Sequence, residues 1–350
     1  MKRKETDPNK QDFYKLIFFT KTKLGGYYRY KDIFQIYPIV GKGFPQNDVQ
    51  EHFPNYIEIL ITPEDNVTVQ TPYPEMDNFI SKFAPSVIKQ DLILNLLTTC
   101  TNHLFFRYES KGLWALPIPT KKPKEIRSDL ESEWCLPVYG SKATGENNVI
   151  INFTDLSHLK PIEKKLFTKY YFDISPDVYY ADSIKMPSII HGFFLSYFNL
   201  ESQLKLVVNT AMYHLKNGVE LSESKKSLSL ISLFTSLETM VNLENKEFKP
   251  TQCDSCGQKK YSVAKKFRDF LTKYVSHHPE SKSKFNKLYS LRSKIVHTGK
   301  TLKSEFLYSE ASQEIKEEEK LKITEVIQYC RLSIVNWTIQ NEIQSRKPKA

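Results

Sequence analysis

The sequence predicts an α+β protein, with a strand-rich domain over residues 1–198 and an all-α domain over residues 199–350. Three observations lead to this prediction. The chain has 350 residues, which is enough for two domains of ordinary size. Short aromatic and β-branched runs between turn residues dominate the first part. Apolar residues at sustained helical spacing begin near Asn199 and continue through the second part.

The first part opens with two pairs of apolar runs, each pair divided by turn-forming residues. Residues 13–19 and 27–30 lie on either side of the glycine pair at 25–26. Residues 56–61 and 67–70 lie on either side of a Glu-Asp-Asn sequence. Aromatic and β-branched residues around such turns favour strands, so four strands are predicted here.

A helix is predicted next, followed by a return to strand composition. Apolar residues between 77 and 100 recur at helical spacing, and Pro85 is expected to interrupt the helix because proline cannot donate its backbone hydrogen bond. Residues 104–108 and 113–116 again have strand composition.

The second part contains five segments with helical spacing. They cover residues 204–215, 231–241, 267–274, 285–295 and 323–343. Gly218 is expected to end the first helix, and Ser222 or Ser224 to cap the second. Gly299 offers a stop for the fourth helix. The charged run over residues 314–322 predicts a solvent-exposed start for the last helix.

Composition and charge favour a globular protein that binds polyanions. Hydrophobic residues make up 40% and charged residues 26% of the chain, as in globular proteins. There are 50 Lys and Arg against 40 Asp and Glu, a net charge of +10 that favours nucleic acid as a partner. No signal peptide and no membrane span are expected. Five scattered cysteines fit a reducing compartment, so a cytoplasmic location is expected.

One short motif carries chemistry that indicates a function. Arg292 and His297 lie five residues apart near the end of a predicted helix. Arginine supplies a permanent planar cation for phosphate, and histidine exchanges a proton near neutral pH. A helix end that loosens is expected to bring both side chains to one site, where they can cleave a phosphodiester without metal. The alternative is structural, because cations in the last turn stabilise a helix dipole.

The motif and its surroundings resemble a known family. The relevant stretches are NTAMYHL at 209–215, SLISLFTSLETMV at 229–241 and KLYSLRSKIVHTG at 287–299. Together they make residues 199–345 resemble the HEPN superfamily, and within it the Apea-like HEPN domains of prokaryotic defence systems. The last stretch matches the family's pattern of an arginine, four to six residues and a histidine. Many members place Asn, Asp or His directly after the arginine, where this chain has Ser293.

The resemblance implies a ribonuclease that works as a homodimer, with two copies of the motif facing each other across a composite site. RNA carries its own nucleophile, the 2′-hydroxyl group. Arg292 would then stabilise charge on the phosphate, and His297 would act as acid or base. Residues 199–350 would form the catalytic domain, and residues 1–198 a sensing or regulatory domain.

Four other residues are candidates for supporting roles. Glu238 falls on or beside the apolar stripe of its helix, where a carboxylate needs a cationic partner such as Arg292. Alternatively, Glu238 reaches solvent from the edge of that stripe. Ser293 can donate one hydrogen bond. Tyr289 is expected to line the cleft or to pack in the core, and Lys294 to hold a phosphate or to remain a surface lysine.

A Cys-x-x-Cys-Gly sequence, with cysteines at Cys253 and Cys256, is typical of half a zinc knuckle. A closed structural site needs four ligands. His277 and His278 are candidates for the other two, and a site shared between two chains is a second arrangement. The alternative is that no metal binds. No cofactor is expected for catalysis.

The sequence therefore leads to the hypothesis of a metal-independent endoribonuclease of a prokaryotic defence or toxin system. A regulatory partner or a phage-derived trigger is expected to control it. Two alternatives stay open: a non-catalytic helical dimerisation module, and a basic RNA-binding adaptor without turnover.

Overall fold

The computed structural model describes residues 12–39, 52–68, 70, 74–107, 149–172, 183–246, 251–252, 259–260, 263–306 and 310–345. The α+β class is confirmed, because an antiparallel sheet occurs in the first part and helices make up the second. Contacts divide the chain into two compact units. Unit 1 comprises Met1–Leu97, Phe105–Lys165 and Tyr179–Met186, and unit 2 comprises Thr98–Leu104, Leu166–Val178 and Pro187–Ala350. The main segment of unit 2 thus begins at Pro187, before the predicted boundary at residue 199. Unit 2 also includes two segments from the first part of the chain, Thr98–Leu104 and Leu166–Val178.

Unit 1 is built around an antiparallel sheet. Its strands are β1 (Asp12–Thr20), β2 (Tyr28–Tyr30), β3 (Phe34–Pro38), β4 (Phe53–Ile61), β5 (Phe105–Phe106) and β6 (Val149–Ile150). Their order is β2-β3-β4-β1-β5, and β6 also pairs with β1. β1 and β4 pair along their whole length and are mostly buried, since both are rich in aromatic and branched aliphatic residues. A short pair, β7 (Lys164–Lys165) and β8 (Met186–Pro187), lies outside this sheet.

The strands on either side of the glycine pair are present but do not pair with each other. β1 pairs with β4, and β2 pairs with β3. The chain between β1 and β2 runs instead along residues 160–162. There the Tyr27 N–H donates to the Lys160 carbonyl at 2.9 Å, and the Ile162 N–H donates to the Tyr27 carbonyl at 2.9 Å.

A buried carboxylate crosses the middle of the sheet. Glu58 of β4 is fully buried and lies opposite Lys15 of β1 and Gln35 of β3. It accepts hydrogen bonds from Gln35 at 2.8 Å, from the Tyr37 hydroxyl at 2.5 Å, and from the backbone and side chain of Thr154 at 2.8 and 2.5 Å. These donors replace the water that a buried carboxylate loses.

The predicted strand over residues 67–70 is wrong, since residues 67, 68 and 70 have no strand structure. After β4 the chain enters a 3₁₀ turn, Pro63–Asp65. The Asp65 carboxylate accepts from the Thr62 N–H at 2.8 Å and pairs with Lys89 at 2.6 Å. This local cap fixes a turn where the sequence pattern favoured a second strand.

Helix α1 (Pro74–Cys100) is continuous, so the predicted interruption near Pro85 is wrong. The Ser86 hydroxyl donates to the Phe83 carbonyl at 2.8 Å, a local side-chain hydrogen bond within the helix next to the proline. Gln90 donates to the Ile17 carbonyl of β1 at 2.8 Å and ties α1 to the sheet. The predicted strand over residues 104–108 corresponds to β5, and residues 113–116 lie outside the described residues.

Unit 2 consists mainly of helices. They are α2 (Phe167–Phe172), α3 (Ile190–Phe198), α4 (Ser202–Leu221), α5 (Lys226–Glu244), α6 (Val263–Tyr274), α7 (Pro279–Thr298) and α8 (Gln313–Ser345). A short antiparallel pair, β9 (Thr251–Gln252) and β10 (Lys259–Lys260), precedes α6. The five predicted helical segments are confirmed as α4 to α8. Within the described residues, no helix has both the length and the apolar character needed to cross a membrane.

Gly218 does not end α4, which continues to Leu221. A Cβ atom at Gly218 would lie 2.6 Å from the Leu233 side chain of α5, so glycine permits a close approach of the two helices. Three serines of α5 use this closeness and donate to α4 carbonyls at 2.6–2.8 Å. They are Ser229, Ser232 and Ser236. Gly218 was expected to end the helix, but its role is to allow close packing of α4 against α5.

The start of α5 also differs from the prediction. Its N-cap residue is Lys225, not Ser222 or Ser224. The Ser222 hydroxyl donates instead to the Val219 carbonyl at the end of α4, at 2.7 Å. The first turn of α5 obtains its acceptor from a distant residue, because Glu305 accepts from the Ser227 N–H at 2.8 Å.

A buried polar cluster joins α8 to the segment 98–104 within unit 2. Arg331 of α8 is 2% exposed, and its Nε donates to the Thr98 carbonyl at 3.3 Å. Gln328 donates to the Asn102 side chain at 3.2 Å. His103 is buried beside them, and burial, followed by the charge of Arg331, lowers the pKa of His103 to about 3.

This pKa predicts an acid-sensitive fold. In the unfolded chain the pKa of His103 returns to about 6.5, so between about pH 6.5 and pH 3 the unfolded state binds one more proton. Stability from this group is then complete above about pH 6.5 and falls by about 1.4 kcal/mol per pH unit as the pH decreases. We expect urea unfolding at pH 5 and pH 7 to differ by about 2 kcal/mol more in the wild type than in His103→Gln. Equal pH dependence in the two proteins would contradict this assignment.

Candidate active site

The motif residues lie on α7, whose ends are set by local sequence. His278 is the N-cap residue, its Nδ1 accepting from the Glu280 N–H at 3.4 Å, and Pro279 occupies the first helical position. Phe285 and Ile295 bury one side of the helix. Both motif side chains belong to the last two turns.

The expected loosening of the helix end is wrong. α7 stays helical through Thr298, and Gly299 then ends it in the left-handed conformation at φ 64°. Residues five apart are separated by about 140° around a helix, so Arg292 and His297 do not lie on one face. The long arginine side chain makes the contact instead, with Nη1 2.8 Å from the His297 Nε2.

Glu238 of α5 holds the other side of the Arg292 guanidinium. Nη2 of Arg292 donates to Oε2 of Glu238 at 3.0 Å, and Nε lies 2.6 Å from Oε1. The Nε–Oε1 contact is close, but its direction does not make it a hydrogen bond. The two side chains are 16% and 27% exposed, so water screens this ion pair less than a surface pair. The structure thus gives Glu238 the cationic partner that its position requires.

The contact with Arg292 defines the hydrogen-bonding role of Nε2 of His297. A guanidinium group only donates hydrogen bonds, so Nε2 is the acceptor in this contact. In this role an imidazole nitrogen can take up a proton. Within the described part of the chain, one N–H on each of Nη1 and Nη2 keeps no partner and is available to an anion.

The other predicted supporting residues flank this group without bonding to it. Tyr289 is half-buried and packs against Phe267 with ring centroids 5.6 Å apart, which agrees with a packing role. Ser293 is half-buried and Lys294 is exposed. Among the described residues, none of these three makes a hydrogen bond or ion pair with Arg292, Glu238 or His297.

Cys253 and Cys256 lie outside the described residues. The chain on either side of them forms β9 and β10, with Gln252 paired to Lys259. His278 caps α7 through Nδ1. In the described ranges, no group of three or more His, Cys, Asp and Glu side chains is arranged to hold a metal ion.

Sequence reasoning missed a clamp on the loop that follows the motif. Lys226 at the start of α5 donates to the Ser304 carbonyl at 3.0 Å and to its hydroxyl at 2.9 Å. Glu319 of α8 accepts from the Lys303 and Ser304 N–H groups at 3.0 and 2.9 Å. Burial raises the pKa of the Glu319 carboxyl, but hydrogen bonds from the Ser304 side chain and from the Ser304 and Lys303 N–H groups outweigh it and bring the pKa below its usual value. The loop is therefore fixed to both α5 and α8.

Glu319 also corrects the prediction of a solvent-exposed run over residues 314–322. It is 8% exposed, whereas Glu318 and Lys320 on either side are exposed. A charged run cannot reveal in the sequence which carboxylate turns inward, since the partners of Glu319 are backbone N–H groups about 15 residues earlier.

The excess positive charge of the chain falls on the stretch of sequence that contains the motif. Residues 259–303 contain 13 Lys and Arg and 2 Asp and Glu, whereas the rest of the chain contains 37 and 38. The whole excess therefore falls on β10, α6, α7 and the loop that follows. Such a local excess attracts polyanions more strongly than the same charge spread over the surface.

Comparisons with models of known protein families, with curated proteins and with solved structures give no match for this chain.

The Glu238–Arg292 pair is expected to contribute to stability as a coupled unit. Hydrogen bonds to charged groups contribute about 1.5–3 kcal/mol, less where water reaches them. We therefore expect Glu238→Ala and Arg292→Ala each to lower the free energy of unfolding by about 1–2 kcal/mol. The double variant should lose less than the sum, with a coupling of about 1 kcal/mol in urea denaturation. Additive losses would show that the pair is not coupled.

Proposed function

We propose that this chain is a metal-independent endoribonuclease, in which Arg292 and His297 act on the phosphodiester of RNA. The observation that carries the proposal is the contact between Nη1 of Arg292 and the accepting Nε2 of His297. It combines a phosphate-binding cation and a proton acceptor in one group, and Glu238 orients the cation. The resemblance of residues 199–345 to the HEPN superfamily supports the same activity.

In the proposed reaction, a phosphate oxygen of RNA replaces His297 as the partner of Arg292. The freed Nε2 takes the proton of the 2′-hydroxyl group as the 2′-oxygen bonds to phosphorus. Arg292 stabilises the charge that builds on the phosphoryl oxygens. The bond to the 5′-oxygen then breaks, and this leaving group needs a proton from a second acid. The products are a 2′,3′-cyclic phosphate and a 5′-hydroxyl end.

A homodimer would supply that second acid. Within the described residues, His297 is the imidazole that contacts Arg292, and one imidazole cannot be base and acid at the same moment. A two-fold axis beside the motif would bring a second His297 to the cleft. Val296, next to His297, is 41% exposed and offers an apolar surface for such a contact.

The wider setting follows from the resemblance. The enzyme would belong to a prokaryotic antiviral defence or toxin system and act in the cytoplasm. The strand-rich part would sense or regulate, in response to a regulatory partner or a phage-derived trigger. Catalysis would need no cofactor. A structural zinc ion at Cys253 and Cys256 would need two further ligands, and the alternative that no metal binds stays open.

The same contacts support a second candidate function, a non-catalytic helical dimerisation or RNA-binding adaptor. Glu238, Arg292 and His297 contact one another and join α5 to α7, as a purely structural cluster would. The two candidates differ in whether RNA is turned over.

Replacing the active pair should abolish cleavage. We expect His297→Ala and Arg292→Ala to leave residual RNA cleavage at most about a hundredth of the wild-type rate, since general acid–base catalysis contributes about 10²–10⁴-fold. Arg292→Lys should also fail substantially, because a point charge cannot replace the planar donor fork. Wild-type rates in His297→Ala would exclude the mechanism.

Three controls identify the chemistry in the same assay. RNA with a 2′-methoxy group at the scissile nucleotide should resist cleavage, because it lacks the nucleophile. EDTA should not inhibit, and the products should carry a 2′,3′-cyclic phosphate or a 3′-phosphate. A requirement for magnesium with 3′-hydroxyl products would indicate a different class of nuclease.

The dimer is tested by mixing active and inactive chains. Light scattering should give the molar mass of a dimer. If the dimer is stable, its interface should bury roughly 1,000 Å² or more. A heterodimer of wild-type and His297→Ala chains, isolated with two affinity tags, should be nearly inactive because base and acid come from different chains. About half the wild-type activity would mean that each chain works alone.

A further inference from the structure

A groove of about 650 Å³ lies between α7 and α8 in unit 2. Its α7 wall carries Lys287, Ser290 and Lys294, and its α8 wall carries Glu318, Lys322 and Glu325. Lys294 is one of the predicted supporting residues, but it makes no hydrogen bond or ion pair with Arg292, Glu238 or His297, and the other five are not part of the predicted site. The groove is open to solvent, and Leu288 and Leu291 line it together with these charged and polar side chains.

The α7 wall of the groove leads to the candidate active site. Ser290, Lys294 and His297 are spaced four and three residues apart, so they follow one another along the same face of the helix. Lys287 lies two turns, or about 10.5 Å, before Lys294. A nucleic acid strand that runs through the groove along α7 therefore reaches His297 within one helical turn after Lys294.

The charges in the groove differ between its two walls. On the α8 side, Glu318 pairs with Lys322 at 2.6 Å, and Glu325 pairs with Lys284 at 3.4 Å. Lys287 and Lys294 make no ion pair with any described residue. Two positive charges on the α7 wall are thus left for an anionic ligand.

We propose that this groove binds the sugar–phosphate backbone of single-stranded RNA next to the scissile phosphate, with Lys287 and Lys294 each contacting a phosphate. The inference rests on the proposed ribonuclease function. Two lysines that make no ion pair with any described residue suit the repeated negative charge of a nucleic acid strand. The serine and asparagine side chains beside them can bond to phosphate and to the 2′-hydroxyl.

The opposite wall suits bases better than phosphates. The carboxylates of Glu318 and Glu325 repel phosphate, but they can accept hydrogen bonds from the amino groups of bases. Tyr329 also lines this wall, where its ring can contact a base. An acidic protein segment fits the groove less well, because its side chains would meet these carboxylates.

The test measures RNA binding separately from cleavage. In the full-length His297→Ala chain, Lys287→Ala/Lys294→Ala is compared with Lys282→Ala/Lys320→Ala, which removes two exposed lysines of α7 and α8 that do not line the groove. Binding of a labelled single-stranded RNA is followed by fluorescence anisotropy over a range of salt concentrations. Circular dichroism confirms that each variant is folded.

Loss of both groove lysines should weaken RNA binding and lower the slope of log affinity against log salt by about 1.4, that is about 0.7 for each single-strand phosphate contact. The control pair should leave the slope unchanged. Equal slopes for the two double variants would overturn the proposal. It would also be overturned if the groove variant lost binding to poly-glutamate while keeping its RNA affinity, which would assign the groove to an acidic protein.

These outcomes are independent of the proposed catalysis. Failure of wild-type chains to cleave RNA would remove the nuclease function. A lysine-dependent slope in the same experiment would still support RNA in the groove. Conversely, RNA cleavage could depend on His297 while RNA binding does not depend on Lys287 and Lys294. That result would exclude the groove as an RNA-binding site and support the nuclease function.

Discussion

The ion pair between Glu238 and Arg292 determines the geometry of the candidate active site, because it fixes the guanidinium between two helices. Without Glu238, the arginine side chain of α7 would be free to extend into solvent, where its rotamers are many. With it, the guanidinium lies across the gap to α5 and also contacts His297 through Nη1. The contact between α5 and α7 thus sets the orientation of the Arg292 guanidinium in the motif.

The rest of unit 2 keeps this contact in place. The glycine and serines between α4 and α5 allow a close, hydrogen-bonded helix pair, so α5 presents Glu238 from a rigid support. The loop after α7 is held by Lys226 and Glu319, which limits movement of the helix end that carries His297. The serines of α5, Lys226 and Glu319 all bond to backbone groups. Removing one partner of such a buried hydrogen bond lowers the stability of the fold.

Periodic features were predictable from the sequence, whereas features that depend on distant partners were not. Strands β1, β2 and β4 and the helices α4 to α8 follow from local spacing, whereas β3 was not predicted. One of the two interpretations of Glu238 already gave it a cationic partner. Local rules failed where another element supplied the missing interaction. Gly218 serves packing against Leu233, Pro85 sits in a continuous helix, and Glu319 is buried by loop N–H groups. The Arg292–His297 contact was expected from a loosened helix and arises instead from side-chain length.

The resting arrangement and the charge distribution together explain how the proposed site can select its substrate. Nε2 of His297 is bonded to Nη1 of Arg292. A ligand must therefore replace His297 at Nη1 before the imidazole becomes free. A neutral ligand has little advantage over His297, whereas a phosphate forms stronger, charge-assisted hydrogen bonds. The cations of residues 259–303 raise the local concentration of such anions. Binding of the phosphate would thus release the base that acts on it, which couples recognition to the first proton transfer.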